Sequence, residues 1–223
     1  ARRQRQMCIR DSDKPMLYIY ELTMNGRSQT GIVGCASIDD YMNNVIKKHE
    51  HTLAKKEEDR IRHVDTCNAN TGPIFLTYRK NDIISNTVNS WVSAHESVYD
   101  FVADGVNQTV WVIDDEDIIN TISTEFAKID ALYIADGHHR CASAVKVGQK
   151  RREEKPNYTG DEEFNFFLSV AFPDDELEIM DYNRVVKDLN GMSREEFLSS
   201  LSHCFEVEKV ETQYKRNGHQ VTY

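Results

Sequence analysis

Features that mark secreted and membrane-spanning proteins are scarce in this sequence. Its 223 residues include only five cysteines, an odd number with no Cys-x-x-Cys pair, which favours free thiols in a reducing compartment over a disulfide framework. No apolar run approaches the roughly 20 residues that a membrane-spanning helix needs. We therefore expect a cytoplasmic protein that has no membrane partner.

Positively charged residues are also fewer than negatively charged ones. The chain has 27 Lys and Arg residues against 37 Asp and Glu, a net charge of −10. This balance argues against a protein that is held on nucleic acid or on an anionic membrane by bulk charge. At this length about 70% of the unfolded surface can be buried, so the core needs no structural metal. We expect small molecules as partners, and the sequence leaves the oligomeric state open.

The common nucleotide-binding and hydrolase motifs are missing as well. There is no G-x-x-x-x-G-K-S/T loop, no G-x-G-x-x-G, no kinase H-R-D or D-F-G and no G-x-S-x-G. The segment His49-Glu50-His51 is not an H-E-x-x-H zinc motif, because residue 53 is Leu, although the two histidines could still share a metal. A phosphate site in this chain must therefore be built differently.

The hydrophobic pattern predicts an α+β fold. Two strands flank Asn25-Gly26, the strongest short hairpin signal, and Ser37 with Asp40 resembles a capping box for a helix through residue 48. Further helices are expected over 53–67, around 118–126, over 141–147 and after Ser193. Further strands are expected over 74–78, 110–113, 132–135, 166–172, 177–180 and 205–210.

In two stretches the hydrophobic residues show neither helical nor strand periodicity. Residues 81–108 are polar and predicted to be irregular, and the charged segment 148–163 is predicted to be a mobile surface loop. Because the predicted strands and helices do not alternate regularly, an α+β sheet is favoured over a doubly wound one.

The most informative segment is the turn Asp136-Gly137-His138-His139-Arg140, which follows an apolar strand and opens a helix. A helix start offers free N–H groups and the positive end of the dipole, so it suits an anion. A glycine there allows close approach of the backbone, and an arginine can donate two hydrogen bonds to a phosphate. The alternative is a surface turn in which polar residues happen to cluster.

Two weaker clusters accompany this turn. One begins at His49-Glu50 and lies between two predicted helices, where it either faces a cleft or forms a solvated helix boundary. The other, over residues 181–185, places Asn183 and Arg184 at the end of a strand and on its own has a structural explanation.

Four motifs occur in a familiar order. They are H-E-x-T-x-x-x-K-x-x-D-R at 49–60, N-x-x-P-I-F at 70–75, I-A-D-G-H-H-R at 134–140 and N-R-V-V at 183–186. With them the chain closely resembles, over about residues 15–210, a large family of conserved and uncharacterised bacterial proteins in the ParB/sulfiredoxin superfamily.

The resemblance implies a domain layout. It predicts one α+β domain over 1–223, a ParB/sulfiredoxin-like mixed sheet with flanking helices and added strands. The core would span 45–147, followed by the loop 148–163 and a C-terminal α/β extension over 164–223. Family members usually extend at both ends, so the chain is expected to be a piece of a longer protein.

The superfamily includes three activities. Sulfiredoxin-like reductases have Cys where this chain has His138, and a ParB-like DNA clamp needs a basic helix-turn-helix downstream, where residues 145–223 are mixed in charge and acidic. The remaining activity is that of free-serine kinases, which implies L-serine as acceptor, pyrophosphate or a nucleotide as donor, and Mg²⁺. The alternative is a module that binds or senses a nucleotide or another phosphate ligand without turnover.

The resemblance also suggests a role for each motif residue. Glu50 would be the base, with His49 orienting it or touching phosphate, and Asp136 would organise Mg²⁺ or position the donor. The expected donor-binding residues are Gly137, His138, His139, Arg140, Lys56 and Arg60. The expected acceptor-binding residues are Asn183, Arg184 and Thr52.

Overall fold

A computed structural model describes residues 14, 16–50, 54–70, 72–178 and 187–209 of the chain, without the side chains of 54–56. The chain divides into two compact units, Ala1–Leu177 and Glu178–Tyr223. The described parts contain one mixed sheet of eight strands and six helices. The predicted α+β class is therefore confirmed.

The fold begins with the predicted hairpin. Strand β1 (Leu17–Met24) pairs antiparallel with β2 (Arg27–Ser37). The turn residues Asn25 and Gly26 have φ values of 53° and 76°. Positive φ at both positions is what a type I′ turn requires, and this turn matches the twist of the strands. The hairpin prediction is confirmed, and β2 ends two residues beyond Cys35.

The other strands complete the sheet in the order β3-β7-β4-β8-β2-β1-β6-β5. The β3–β7 and β4–β8 pairs are parallel and the others antiparallel. Their bounds are β3 Ile46–Lys47, β4 Ile74–Tyr78, β5 Tyr99–Ala103, β6 Val106–Ile113, β7 Leu132–Asp136 and β8 Phe166–Pro173.

The core lies between one face of this sheet and the helices of the first unit. The buried residues Ile19, Ile32, Ala171, Leu76 and Ile134 are register partners across five strands, and they belong to one cluster with apolar helix residues. The helices are α1 Ile38–Met42, α2 Ala54–Cys67, α3 Asp82–Ala94, α4 Glu116–Phe126 and α5 His138–Glu154, with α6 Arg194–Ser202 in the second unit.

The helix predicted from Ser37 to residue 48 is much shorter in the structure. Ser37 is its N-cap, but the hydroxyl accepts from the Asp39 N–H and the helix ends at Met42. Asn44 adopts a left-handed φ of 59°, a conformation that asparagine tolerates and that stops a helix. The chain then enters β3, which places Ile46 in the core.

The prediction that residues 81–108 are irregular is wrong. Asn81 caps α3 by accepting from the N–H groups of Ile83 and Ile84, and α3 buries Ile84, Val88 and Trp91 at helical spacing. A hairpin of β5 and β6 follows, with Asp104 and Gly105 in its turn. Because polar residues occupy the exposed face of α3, hydrophobicity averaged over a sequence window does not reveal this apolar stripe.

The segment 148–163 is partly helical, because α5 continues to Glu154. Gly148 suggests a loop in the sequence, yet a Cβ there would collide with the Phe164 carbonyl and the Ile38 side chain. Its function is thus close packing. The Arg152 guanidinium beyond it donates to both carboxylate oxygens of Asp39, at 2.7 and 2.8 Å.

The C-terminal predictions have mixed outcomes. The capping box of Ser193 and Glu196 starts α6 as predicted. The strands predicted over 177–180 and 205–210 are not formed at Leu177, Glu178 or residues 205–209, and the other residues of these two segments lie outside the described residues.

Candidate active site

The turn predicted to bind an anion joins β7 to α5. β7 ends at Asp136, and Gly137 is the N-cap of α5 with a left-handed φ of 93°. Glycine adopts this conformation without the steric cost that a side chain brings. The Cys141 N–H then donates to the Gly137 carbonyl at 2.9 Å. The predicted strand, turn and helix are therefore confirmed, and α5 starts three residues earlier than expected.

Helix α2 runs parallel to α5. Near the start of both helices, Ser143 Oγ donates to the Glu57 carbonyl at 3.4 Å and Lys146 forms an ion pair with the Glu57 carboxylate. Near their ends, Lys150 pairs with Asp65 at 2.7 Å. Both helices thus begin on the same side of the layer, and the positive ends of their dipoles lie together.

The Arg140 guanidinium is oriented by the residue that ends β7. Its Nη2 donates to Asp136 Oδ2 at 2.8 Å, and the two side chains are 35% and 73% exposed. One of the two guanidinium N–H groups that were expected to bind phosphate thus donates to Asp136. Exposed ion pairs contribute at most about 1 kcal/mol, so a phosphate oxygen can replace this carboxylate at little cost.

Glu50 and His49 lie against the same turn. Glu50 Oε2 is 3.8 Å from His138 Nδ1, and the Glu50 side chain is 62% exposed whereas His138 is 6% exposed. The separation is too long for a hydrogen bond but within the range of an ion pair. The His49 ring meets the His138 ring edge-on, with centroids 4.4 Å apart. The structure thus brings His49 and Glu50, which follow β3, close to the turn between β7 and α5.

Burial lowers the pKa of His138 below its usual value, and the neighbouring His49 lowers it further. The nearby carboxylates of Glu50 and Asp136 act in the opposite direction, and His139 adds to the lowering. The net effect favours a neutral imidazole at neutral pH. His138 is therefore a hydrogen-bonding group of the site rather than a fixed positive charge.

Two imidazole nitrogens of the turn are buried without a partner. His138 Nε2 and His139 Nδ1 make no hydrogen bond to any part of the chain that the structure describes. An unpaired buried polar atom costs about 1–3 kcal/mol, and a water, ion or ligand that supplies the missing bond is one explanation for such an atom. Both residues belong to the same turn as Arg140, which is consistent with a site for a polar ligand.

Within the described ranges, no group of three or more His, Cys, Asp or Glu residues could hold a metal ion. Mg²⁺, however, is commonly bound by one or two carboxylates together with substrate phosphates. The exposed carboxylate of Asp136 is of the kind that could hold a magnesium ion together with a phosphate ligand.

Cys141 is a poor candidate for redox chemistry. The side chain is fully buried in the core, and burial raises the pKa of its thiol to about 12. Reactive cysteines are accessible and have a lowered pKa. The structure therefore gives this thiol a packing role.

The remaining predicted site residues are less well placed. Arg60 is exposed on α2, one turn beyond Lys56, of which only the backbone is described. Thr52, Asn183 and Arg184 lie outside the described residues, as does the His51 of the possible metal pair. Their expected roles stay predictions.

Sequence reasoning missed Gly72. A Cβ at this position would lie 3.0 Å from Arg140 Nη1. In the sequence, a Gly-Pro pair after a predicted helix indicates only that the helix has ended. The one further signal of Gly72 is its place within N-x-x-P-I-F, directly before the strand that pairs with β7.

The geometry defines a mixed α+β protein with a polar site at a strand–turn–helix junction. Residues 2–223 match the family described as "Protein of unknown function (DUF1015)", and because this match covers almost the whole chain, the chain belongs to that family. No curated protein and no solved structure matches the chain. Among the described residues, no helix is long and apolar enough to cross a membrane.

Proposed function

We propose that the chain is a cytoplasmic, magnesium-dependent phosphotransferase that makes O-phospho-L-serine from free L-serine and a phosphate donor, either pyrophosphate or a nucleotide. The observation that carries this proposal is the approach of the Glu50 carboxylate to the His138–Arg140 turn, 3.8 Å from His138 Nδ1. In this proposal the Glu50 carboxylate is the general base and the turn binds the phosphate anion, so the two groups share one site. The identity of the acceptor and the ParB/sulfiredoxin-like assignment of the sheet depend on the motif resemblance.

Phosphoryl transfer depends mainly on positioning and on neutralising charge. The donor phosphates would bind at the start of α5, where the backbone N–H groups and the Arg140 guanidinium can donate hydrogen bonds to phosphate oxygens. In this arrangement Arg140 exchanges its bond to Asp136 for bonds to phosphate oxygens.

Glu50 would act on the acceptor. The serine oxygen forms a bond to phosphorus while the bond from phosphorus to the leaving phosphate breaks, and the hydroxyl proton passes to the Glu50 carboxylate. Its exposure lets it reach a small alcohol. The His138 ring lies beside the carboxylate, with Nδ1 3.8 Å from Oε2.

Asp136 is the residue that would hold a magnesium ion, which neutralises phosphate charge when it is bound. Asp136 is also bonded to Arg140. The same carboxylate can therefore hold the guanidinium before the donor binds and contribute to donor binding afterwards.

The test is to incubate the chain with L-serine, Mg²⁺ and either pyrophosphate, ADP or ATP, and to follow phosphorus by NMR. We expect O-phosphoserine and the shortened donor in equal amounts with at least one donor. Glu50→Gln should lose this activity, whereas Glu58→Gln, an exposed residue of α2, should keep it.

Donor binding without any phosphoserine would contradict the kinase proposal. That result would favour the alternative, a module that binds phosphate ligands without turnover. Donor hydrolysis that does not depend on serine would also contradict the assigned acceptor.

A further inference from the structure

We propose that Gly72 is a positioning residue for Arg140, an inference that rests on the function proposed above. A Cβ at Gly72 would lie 3.0 Å from Nη1 of the guanidinium, and a Cβ at Gly137 would lie 3.1 Å from Nη2 and 3.2 Å from Nε. The guanidinium therefore fits between two glycines that come from different parts of the chain.

Backbone conformation explains one of these glycines but not the other. Gly137 has a φ of 93°, whereas Gly72 is not among the positive-φ residues. An alanine could therefore adopt the backbone of residue 72 without left-handed strain. What Gly72 supplies is space beside Nη1.

The backbone at residue 72 has little freedom to retreat from a larger side chain. Pro73 restricts the residue before it to extended conformations, and β4 begins at Ile74 between β7 and β8. Phe75 is the register partner of Asp136, the residue that accepts from Arg140. A side chain at position 72 would therefore displace the guanidinium rather than the strand.

The orientation of the guanidinium determines which N–H groups face a phosphate. Before the donor binds, Asp136 holds Nη2 at 2.8 Å, and a Cβ at either glycine would lie only 3.0 to 3.2 Å from Nη1, Nη2 or Nε. Two parallel hydrogen bonds to phosphate need the planar guanidinium to be aligned with the phosphate oxygens. A shift of a few tenths of an ångström weakens one of the two bonds.

The experiment measures binding of magnesium pyrophosphate by calorimetry. Because one of two charge-assisted bonds is weakened, we expect Gly72→Ala to raise the dissociation constant by about 5- to 10-fold, and Gly72→Val to raise it further. The matched control is Gly34→Ala in β2. Its Cβ would lie 3.1 Å from the Leu17 side chain, a similarly tight contact that does not involve Arg140, so pyrophosphate binding should not change.

A double-mutant cycle distinguishes positioning from a general structural effect. Lysine lacks the Nη1 atom that a Cβ at residue 72 would touch, so Gly72→Ala should have almost no further effect in an Arg140→Lys background. Additive losses in the double variant would overturn the proposal. Unchanged pyrophosphate binding by Gly72→Val would also overturn it.

The same measurements separate this inference from the proposed function. If Arg140→Lys weakens binding but Gly72→Val does not, only the positioning role fails. If the unaltered chain binds none of pyrophosphate, ADP and ATP, or if Arg140→Lys has no effect on donor binding, the donor site fails and the role of Gly72 fails with it.

Discussion

The dipeptide Asp-Gly ends a strand at two places, and the two turns differ in what surrounds them. At Asp104-Gly105 both residues have positive φ, 52° and 78°, and the chain reverses into β6. At Asp136-Gly137 only the glycine has positive φ, and the chain enters α5. The first dipeptide makes a hairpin and the second starts a helix.

The space around the two glycines differs even more. A Cβ at Gly105 would meet nothing within 4 Å, whereas a Cβ at Gly137 would meet three guanidinium atoms of Arg140. Gly105 is thus required for its conformation alone, and Gly137 for conformation and for space beside a functional group. The comparison teaches that the residues after an Asp-Gly turn decide its role.

The largest expected effect concerns Glu50, the carboxylate that lies beside the second turn, Asp136-Gly137, and not beside the first. Replacing Glu50 by glutamine keeps the shape of the side chain but removes the base 3.8 Å from His138. We expect turnover to fall by roughly 10²–10⁴-fold with donor binding nearly intact. Steady-state kinetics and calorimetry measure the two quantities, with Glu58→Gln as control. An active Glu50→Gln variant would make His138 or His139 the next candidate base.

The next test concerns the arginine that distinguishes the two turns. Arg140→Lys keeps the charge but cannot form two parallel bonds to phosphate, so donor affinity should fall by about 10- to 100-fold while the fold remains. Arg62→Lys is the control, because Arg62 forms a similar short-range pair with Asp59 at 2.7 Å on the exposed face of α2. Equal donor affinity in both variants would remove the turn from the donor site.

A direct comparison of the glycines should give a smaller effect. Gly105→Ala and Gly137→Ala each force a side chain into a left-handed conformation, so each should lower the free energy of unfolding by about 1–2 kcal/mol. Only Gly137→Ala should also reduce turnover, by about 10-fold, because it displaces Arg140. Chemical denaturation and kinetics on both variants test this difference. Equal activity losses would show that the two turns differ only in shape.

Local parts of the fold could be predicted from the sequence because they depend on neighbouring residues. Asn25-Gly26 fixes a hairpin, and Gly137 after an apolar strand indicates a turn into a helix. The sequence was less informative where a single residue ends a helix within a stretch whose hydrophobic spacing is helical, as Asn44 does after α1. It was misleading at Gly148, whose packing against Phe164 cannot be seen from composition.

In the candidate site, too, the local features could be predicted from the sequence and the long-range contacts could not. The turn was predictable because its residue types cluster within five positions. The contact of Gly72 with Arg140 and the parallel course of α2 and α5 were not, since they depend on how distant segments pack.

The smallest expected effect is a pH dependence of stability that arises at the second turn alone. The pKa of His138 is lowered in the folded chain, chiefly by burial, so the unfolded chain takes up the proton more readily. Stability from this residue is therefore fully present above the unfolded value of about 6.5 and falls as the pH drops toward the folded value. The groups that face His138 are Glu50, Asp136, His49 and His139.

Thermal unfolding followed between pH 7.5 and pH 5 measures this contribution. Carboxylates with a lowered pKa, such as Asp39 and Asp65, destabilise the fold only at more acidic pH, since ordinary carboxylates titrate near pH 4. The unaltered chain should lose a few degrees of Tm across this range, and His138→Gln should lose less because its amide does not titrate. His63→Gln, at an exposed position of α2, should retain the slope of the unaltered chain. If His138→Gln also retains this slope, the buried imidazole does not contribute to the pH dependence of stability. The turn at Asp136-Gly137 would then differ from the hairpin at Asp104-Gly105 only through Arg140 and Glu50.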